Sequence, residues 1–160
     1  MKHLFFYETE LGIIGFAENG RAITNVIFGK HFNNTDYEEV ETPLLKEAAK
    51  QLNEYLAKER ELFDLPYTAA GTPFQHSVWD ALKTIPYGQT CTYLDIAKQI
   101  GKPKACRAVG MANNKNPLPI LIPCHRVIGS SGKLVGYGGG MDIKKALLAL
   151  EKSKGDIIEI

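Results

Sequence analysis

The hydrophobic period changes part-way along the chain. "HLFFYE", "LGIIGFA" and "AITNVIF" are short, apolar and rich in β-branched and aromatic residues, the pattern of strands. Asn19-Gly20 stands between the second and third runs and is a strong hairpin signal. The chain therefore opens as an antiparallel meander. "TPLLKEAAKQLNEYLAKER" then adopts helical spacing, with Leu44, Leu45, Ala48, Ala49, Leu52, Tyr55 and Leu56 on one stripe. Thr42 is placed to cap this helix and Pro43 suits its first turn. Such a helix covers one face of the sheet. "FDLPYTAAGTP" breaks regular structure. Residues 1–70 and 71–160 are accordingly read as two domains, the first α/β with an antiparallel sheet.

The second part is mostly helical. "TPFQHSVWDALKTI" repeats the cap-and-proline start at Thr72-Pro73, with Phe74, Val78, Ala81, Leu82 and Ile85 facing inward. "TYLDIAKQIG" is a short helix closed by Gly101. "KPKACRAVGMANN" is read as another, starting at Pro103. Two short helices joined around Gly101-Lys102-Pro103 have the dimensions of a helix-turn-helix, with Lys104 and Arg107 near the start of the second helix, where DNA would be met. The same spacing fits an ordinary αα-corner with solvated lysines. A last helix, "DIKKALLALEKSK", has Asp142 as its cap.

Charge divides along the same boundary. Residues 1–70 hold 7 Lys/Arg against 12 Asp/Glu; residues 71–160 hold 12 against 6, so a net −5 is joined to a net +6. The basic part suits an anionic partner, although two independently solvated surfaces would give the same totals. The three cysteines, Cys91, Cys106 and Cys124, form neither a disulfide framework nor a zinc pattern, and a reducing cytoplasm is expected. No apolar run reaches the roughly 18 residues of a membrane span, and "MKHLFFYETELG" is too short and acidic for a secretory signal. No cofactor fingerprint is present.

Cys124 and His125 adjoin in "ILIPCHRVIGSSG". A free thiol, with a pKa of about 8.5, is mostly protonated at neutral pH and needs a base to act as a nucleophile. Adjacent side chains tend to point apart, so a bound water between them is the more natural link. A buried thiol in an apolar run is otherwise just a small hydrophobe.

"PCHRV", preceded by "NPLPILI", resembles the signature of the O6-alkylguanine-DNA alkyltransferases, the methylated-DNA–protein-cysteine methyltransferases. The likeness runs from about Thr72 to Glu151, through "FQHSVWDALKTIPYGQTCTYLDIA", "RAVGMANNKNPLPILIPCHRVIGSSG" and "GYGGG…KKALLALE". The first domain resembles the family in plan alone.

The resemblance implies a ribonuclease H-like first domain and a winged-helix-like, DNA-binding second domain. It implies a single-turnover repair reaction. Cys124 would take the alkyl group from O6-alkylguanine in double-stranded DNA, with the target base flipped out. His125 would act as base through water and Glu151 would orient it. Asn116 would tie the recognition helix to the active-site turn. Tyr93 would help rotate the nucleotide and protonate the leaving guanine, and Arg107 would fill the gap in the stack. Lys104, Ala105 and Arg126 join the DNA contacts. Tyr137, Gly138, Gly139, Pro119 and Val127 line the pocket, with Gly138 standing where some relatives have serine. No metal or cofactor is implied, and the protein is expected to be a monomer in the cytoplasm or at the nucleoid. Two alternatives are a damage-recognition module without transfer, whose members lack the cysteine, and a thiol hydrolase, which gives Arg107 and Tyr93 no role.

Overall fold

The computed structural model describes residues 2–32, 35–129 and 140–152. The chain divides into two compact units, Met1–Ala70 and Gly71–Ile160.

In the first unit, β1 (Lys2–Thr9), β2 (Gly12–Glu18) and β3 (Ile23–Phe28) form the antiparallel meander. A fourth strand, β4 (Tyr37–Glu39), pairs in parallel with β1, so the sheet order is β3-β2-β1-β4 and the sheet is mixed rather than purely antiparallel. Three residues containing two glutamates carry no strand signal of their own. The Asn19-Gly20 turn spans residues 19–22: Asn19 Oδ1 accepts from Arg21 and Ala22 N–H at 3.0 Å each, and Gly20 takes the positive φ of 92°.

Helix α1 (Pro43–Leu56) packs on the sheet through Leu45, Ala48, Ala49, Leu52, Tyr55 and Leu56, all buried. Thr42 caps it, accepting from Leu45 N–H at 3.3 Å. The Thr42 hydroxyl also donates to Glu18 at 2.7 Å, while the other Glu18 oxygen accepts from Gly20 N–H at 2.6 Å. One buried carboxylate thus joins the β2–β3 turn to the helix start.

The second unit contains α2 (Pro73–Leu82), β5 (Cys91–Thr92), α3 (Tyr93–Gln99), α4 (Cys106–Asn114), a 3-10 turn (Cys124–Arg126), β6 (Val127–Ile128) and α5 (Met141–Glu151). Capping boxes start α2 (Thr72 with Gln75) and α3 (Thr92 with Asp95). Trp79 is buried and donates its indole N–H to the Ala112 carbonyl at 2.9 Å, locking α2 to α4.

Two helix starts differ from expectation. Helix α4 begins at Cys106, not Pro103, because residues 103–104 form a turn whose Ala105 N–H bonds to the Lys102 carbonyl at 2.9 Å. Asp142 does not cap α5; Gly140 does, at φ 97°, and Asp142 lies in the first turn, where its charge complements the helix dipole.

Candidate active site

The segment from Asn116 to Arg126 is organised by its own polar groups. Asn116 accepts from Leu118 N–H at 2.9 Å and donates its amide to the Ile122 carbonyl at 2.8 Å. Ile122 N–H returns to the Leu118 carbonyl at 2.8 Å, and Ile120 adopts a φ of 74°, a strained value for a β-branched residue. Pro117, Pro119 and Pro123 punctuate this loop, which feeds the 3-10 turn. Asn113, on the buried side of α4, donates its amide to the Cys124 carbonyl at 3.4 Å.

Cys124, His125 and Arg126 are all buried. His125 is fully enclosed, and its Nε2 lies 2.8 Å from Glu151 Oε2 at the end of α5. The pairing with a carboxylate favours a proton on Nε2, which leaves the Nδ1 lone pair available. Burial pushes the imidazole pKa below its ordinary value, and the Glu151 hydrogen bond and charge oppose that shift. Nδ1 and Asn113 Oδ1 are the side-chain polar atoms without a protein hydrogen-bond partner among the described buried residues.

Lys144 is also buried, with its ammonium donating to the Val127 carbonyl at 2.7 Å. Burial lowers its pKa to about 8, and its interaction with Cys124 opposes the shift. Tyr93, half-buried at the start of α3, is pushed above the usual phenol pKa by burial and by Cys124. Its ring faces Gly110 of α4, where an added Cβ would lie 3.9 Å away.

Cys124 and His125 share one buried turn, His125 meets Glu151, and Asn116 holds the loop that leads into the turn; Tyr93 interacts with Cys124. Arg107 lies in the first turn of α4 and is exposed, together with Ala108, Met111, Asn114 and Lys115. Lys104 is exposed in the turn before the helix, and Ala105 is the capping residue. Pro119 and Val127 are buried within the unit. Tyr137, Gly138 and Gly139 lie outside the described residues.

Arg126 requires a correction. The sequence places it among the DNA contacts, but its guanidinium is turned inward. Nε donates to Glu151 Oε1 at 2.7 Å, Nη2 to Oε2 at 2.8 Å and Nη1 to the Ile85 carbonyl at 2.8 Å. A buried guanidinium that spends three of its five N–H donors on interior acceptors is held away from a phosphate at the surface.

Sequence reasoning missed Asn113 and Lys144. Both carried a signal. Lys144, Leu147, Leu148 and Glu151 share the buried stripe of α5, and Val109, Ala112 and Asn113 that of α4. A polar residue on such a stripe must find a partner inside.

Models of two domains match the chain: the 6-O-methylguanine DNA methyltransferase ribonuclease-like domain over residues 3–69 and the DNA binding domain of the same family over residues 73–153. The chain belongs to the 6-O-methylguanine DNA methyltransferase family. The methylated-DNA–protein-cysteine methyltransferase of Methanosarcina acetivorans is 51% identical over 150 residues, covering 92% of this chain and 96% of its own. The constitutive enzyme of that name from Bacillus subtilis is 47% identical over 154 residues, covering 91% and 92%. Among solved structures, Mycobacterium tuberculosis OGT in complex with DNA matches with a TM-score of 0.88 and 47% identity, over 94% of this chain and 92% of that one. The fold is therefore that of the methyltransferase family, with an N-terminal sheet domain and a C-terminal helical DNA-binding domain. No helix among the described residues is long and apolar enough to cross a membrane.

Proposed function

We propose that this protein repairs O6-alkylguanine in double-stranded DNA by moving the alkyl group to its own Cys124, once per molecule. The observation that carries the reading is the buried Cys124–His125 turn with His125 bonded to Glu151 at 2.8 Å. Membership of the methyltransferase family and the DNA complex of its mycobacterial neighbour support it.

In the reaction, the Cys124 thiol gives its proton through a bound water to His125 Nδ1. The sulfur attacks the methyl carbon, an S–C bond forms, and the C–O bond breaks with its electron pair left on the guanine oxygen. Tyr93, whose raised pKa keeps it protonated at neutral pH, donates a proton to the leaving guanine. One proton is gained by His125 and one is lost by Tyr93, so exchange with solvent returns both to rest. The product is guanine and S-methylcysteine, and a thioether offers no easy route back to the thiol.

The target oxygen is buried in a duplex, so the nucleotide is flipped out, which costs a few kcal/mol and is easiest for a poorly paired base. Arg107, exposed at the start of α4, fills the gap, and Lys104 contacts the backbone. The protein acts as a monomer in the cytoplasm or at the nucleoid.

A duplex labelled on the O6-methyl group tests this. The reading predicts one label per protein molecule, and none on Cys124→Ala, which still binds the duplex. Transfer by Cys124→Ala, or several labels per molecule, overturns it.

A further inference from the structure

At least four donors converge on the Glu151 carboxylate. Oε1 accepts from Arg126 Nε at 2.7 Å and from Gly88 N–H at 3.4 Å; Oε2 accepts from His125 Nε2 and Arg126 Nη2, each at 2.8 Å. That matches the roughly four lone-pair sites of an ionised carboxylate. The loop from Ile85 to Gly88 wraps this pair. Ile85 accepts from Arg126 Nη1, the Tyr87 ring lies 5.7 Å from the guanidinium carbon, and the Tyr87 hydroxyl donates to the Leu150 carbonyl at 3.5 Å. Gly88 adopts φ +81°, and a Cβ there would stand 3.0 Å from the Glu151 carbonyl oxygen. Glycine lets this backbone come close enough to donate.

We propose that Arg126, seated by the Ile85–Gly88 loop, is a positioning residue of the proton relay: it fixes Glu151 as an anion, so that His125 rests neutral with its proton on Nε2 and its Nδ1 lone pair free to receive the thiol proton. The proposal rests on the assignment of Cys124 and His125 as acceptor and base.

A buried carboxylate beside an imidazole raises the pair's affinity for a proton. Arg126 cancels that charge in place. Removing it leaves one negative charge in a dry site, and the His125–Glu151 pair then takes up a proton at higher pH, whichever of the two carries it. The other groups around His125 are Cys124 in its own turn and Lys144 of α5, whose positive charge opposes protonation. Helix α2, which also packs against the turn, carries His76, edge-on to Trp79, and Asp80, paired with Lys83.

Two readouts test this. The first is the tautomer of His125, from the ring ¹⁵N shifts of the wild-type protein without DNA. The proposal predicts the Nε2–H form at pH 7; an Nδ1–H form or an imidazolium at that pH overturns it. The second is single-turnover methyl transfer against pH for wild type, Arg126→Met and Arg126→Lys. The acid limb of Arg126→Met is expected to move up by about one pH unit. Arg126→Lys keeps the charge but loses the fork, so it is expected to bring the limb back towards wild type at a reduced plateau rate. Superimposable limbs for Arg126→Met and wild type, with a change only in melting temperature or plateau, would show a merely structural arginine and overturn the proposal. If Arg126→Met does not fold, the wild-type tautomer decides. Failure of the underlying reading looks different: wild type itself would leave Cys124 unmethylated, whatever the tautomer of His125.

Discussion

His125 and Glu151 stand 26 residues apart in sequence and 2.8 Å apart in space, joined by a hydrogen bond that is closed to solvent on both sides. The bond fixes the end of α5 against the 3-10 turn that holds Cys124. Glu151 is therefore both a structural and a chemical residue. Glu151→Gln removes the charge that balances Arg126 and leaves a buried guanidinium. A loss of about 3–5 kcal/mol in stability is expected from urea unfolding, together with a large fall in the transfer rate. Wild-type stability for this variant would show that the pair is not desolvated.

Lys144 makes stability depend on alkaline pH. Its folded pKa is lowered from 10.5 to about 8 by burial. Between those values the unfolded chain holds a proton that the folded chain has released. By linkage, this residue's contribution to stability rises with pH across the window. The urea midpoint of wild type should therefore gain on that of Lys144→Met between pH 8 and 10.5, and the difference should stay level from pH 6 to 7.5. A level difference throughout contradicts the burial of the ammonium.

The two threonine caps are not equivalent. Thr72 and Thr42 each accept a bond from a helix N–H, but Thr42 also donates to the buried Glu18 carboxylate at 2.7 Å. Thr72→Ala should cost about 1 kcal/mol, as an ordinary cap does. Thr42→Ala should cost about 1 kcal/mol more, because it strips a donor from a buried carboxylate. Urea unfolding of the two variants side by side measures the difference.

Affinity for duplex DNA should fall as salt rises, since each phosphate contact releases counterions. Lys104→Ala should shallow the salt slope by about one and weaken binding to all sequences alike. Arg126→Met should leave the slope unchanged, because Arg126 is committed to Glu151. Fluorescence anisotropy at a series of salt concentrations checks both, and a shallower slope for Arg126→Met would return that residue to the surface.

What the sequence revealed was mostly local. Thr42-Pro43 and Thr72-Pro73 mark their helices because a cap acts within three residues. The apolar runs of β1, β2 and β3 and the Asn19-Gly20 turn are legible for the same reason. Pro103 misled because proline suits a turn as well as a first helical residue, and here the turn's own hydrogen bond decides. β4 was hidden because Tyr37–Glu39 gains its identity only from pairing with β1. Arg126 was misplaced because arginine beside a reactive cysteine resembles a surface contact, while the partner that draws it inward lies 25 residues later. Cys124 and His125 drew attention by their adjacency, whereas Glu151, 26 residues beyond His125, was named through likeness to a family. Lys144 and Asn113 were within reach of periodicity alone.

The most direct test of the whole account is the mass of the protein after it meets duplex DNA carrying O6-methylguanine. The account predicts a gain of one methylene, found on the peptide containing Cys124, with guanine restored and product limited to one equivalent. DNA bound with no gain in mass, or a methyl group on any other residue, would contradict it.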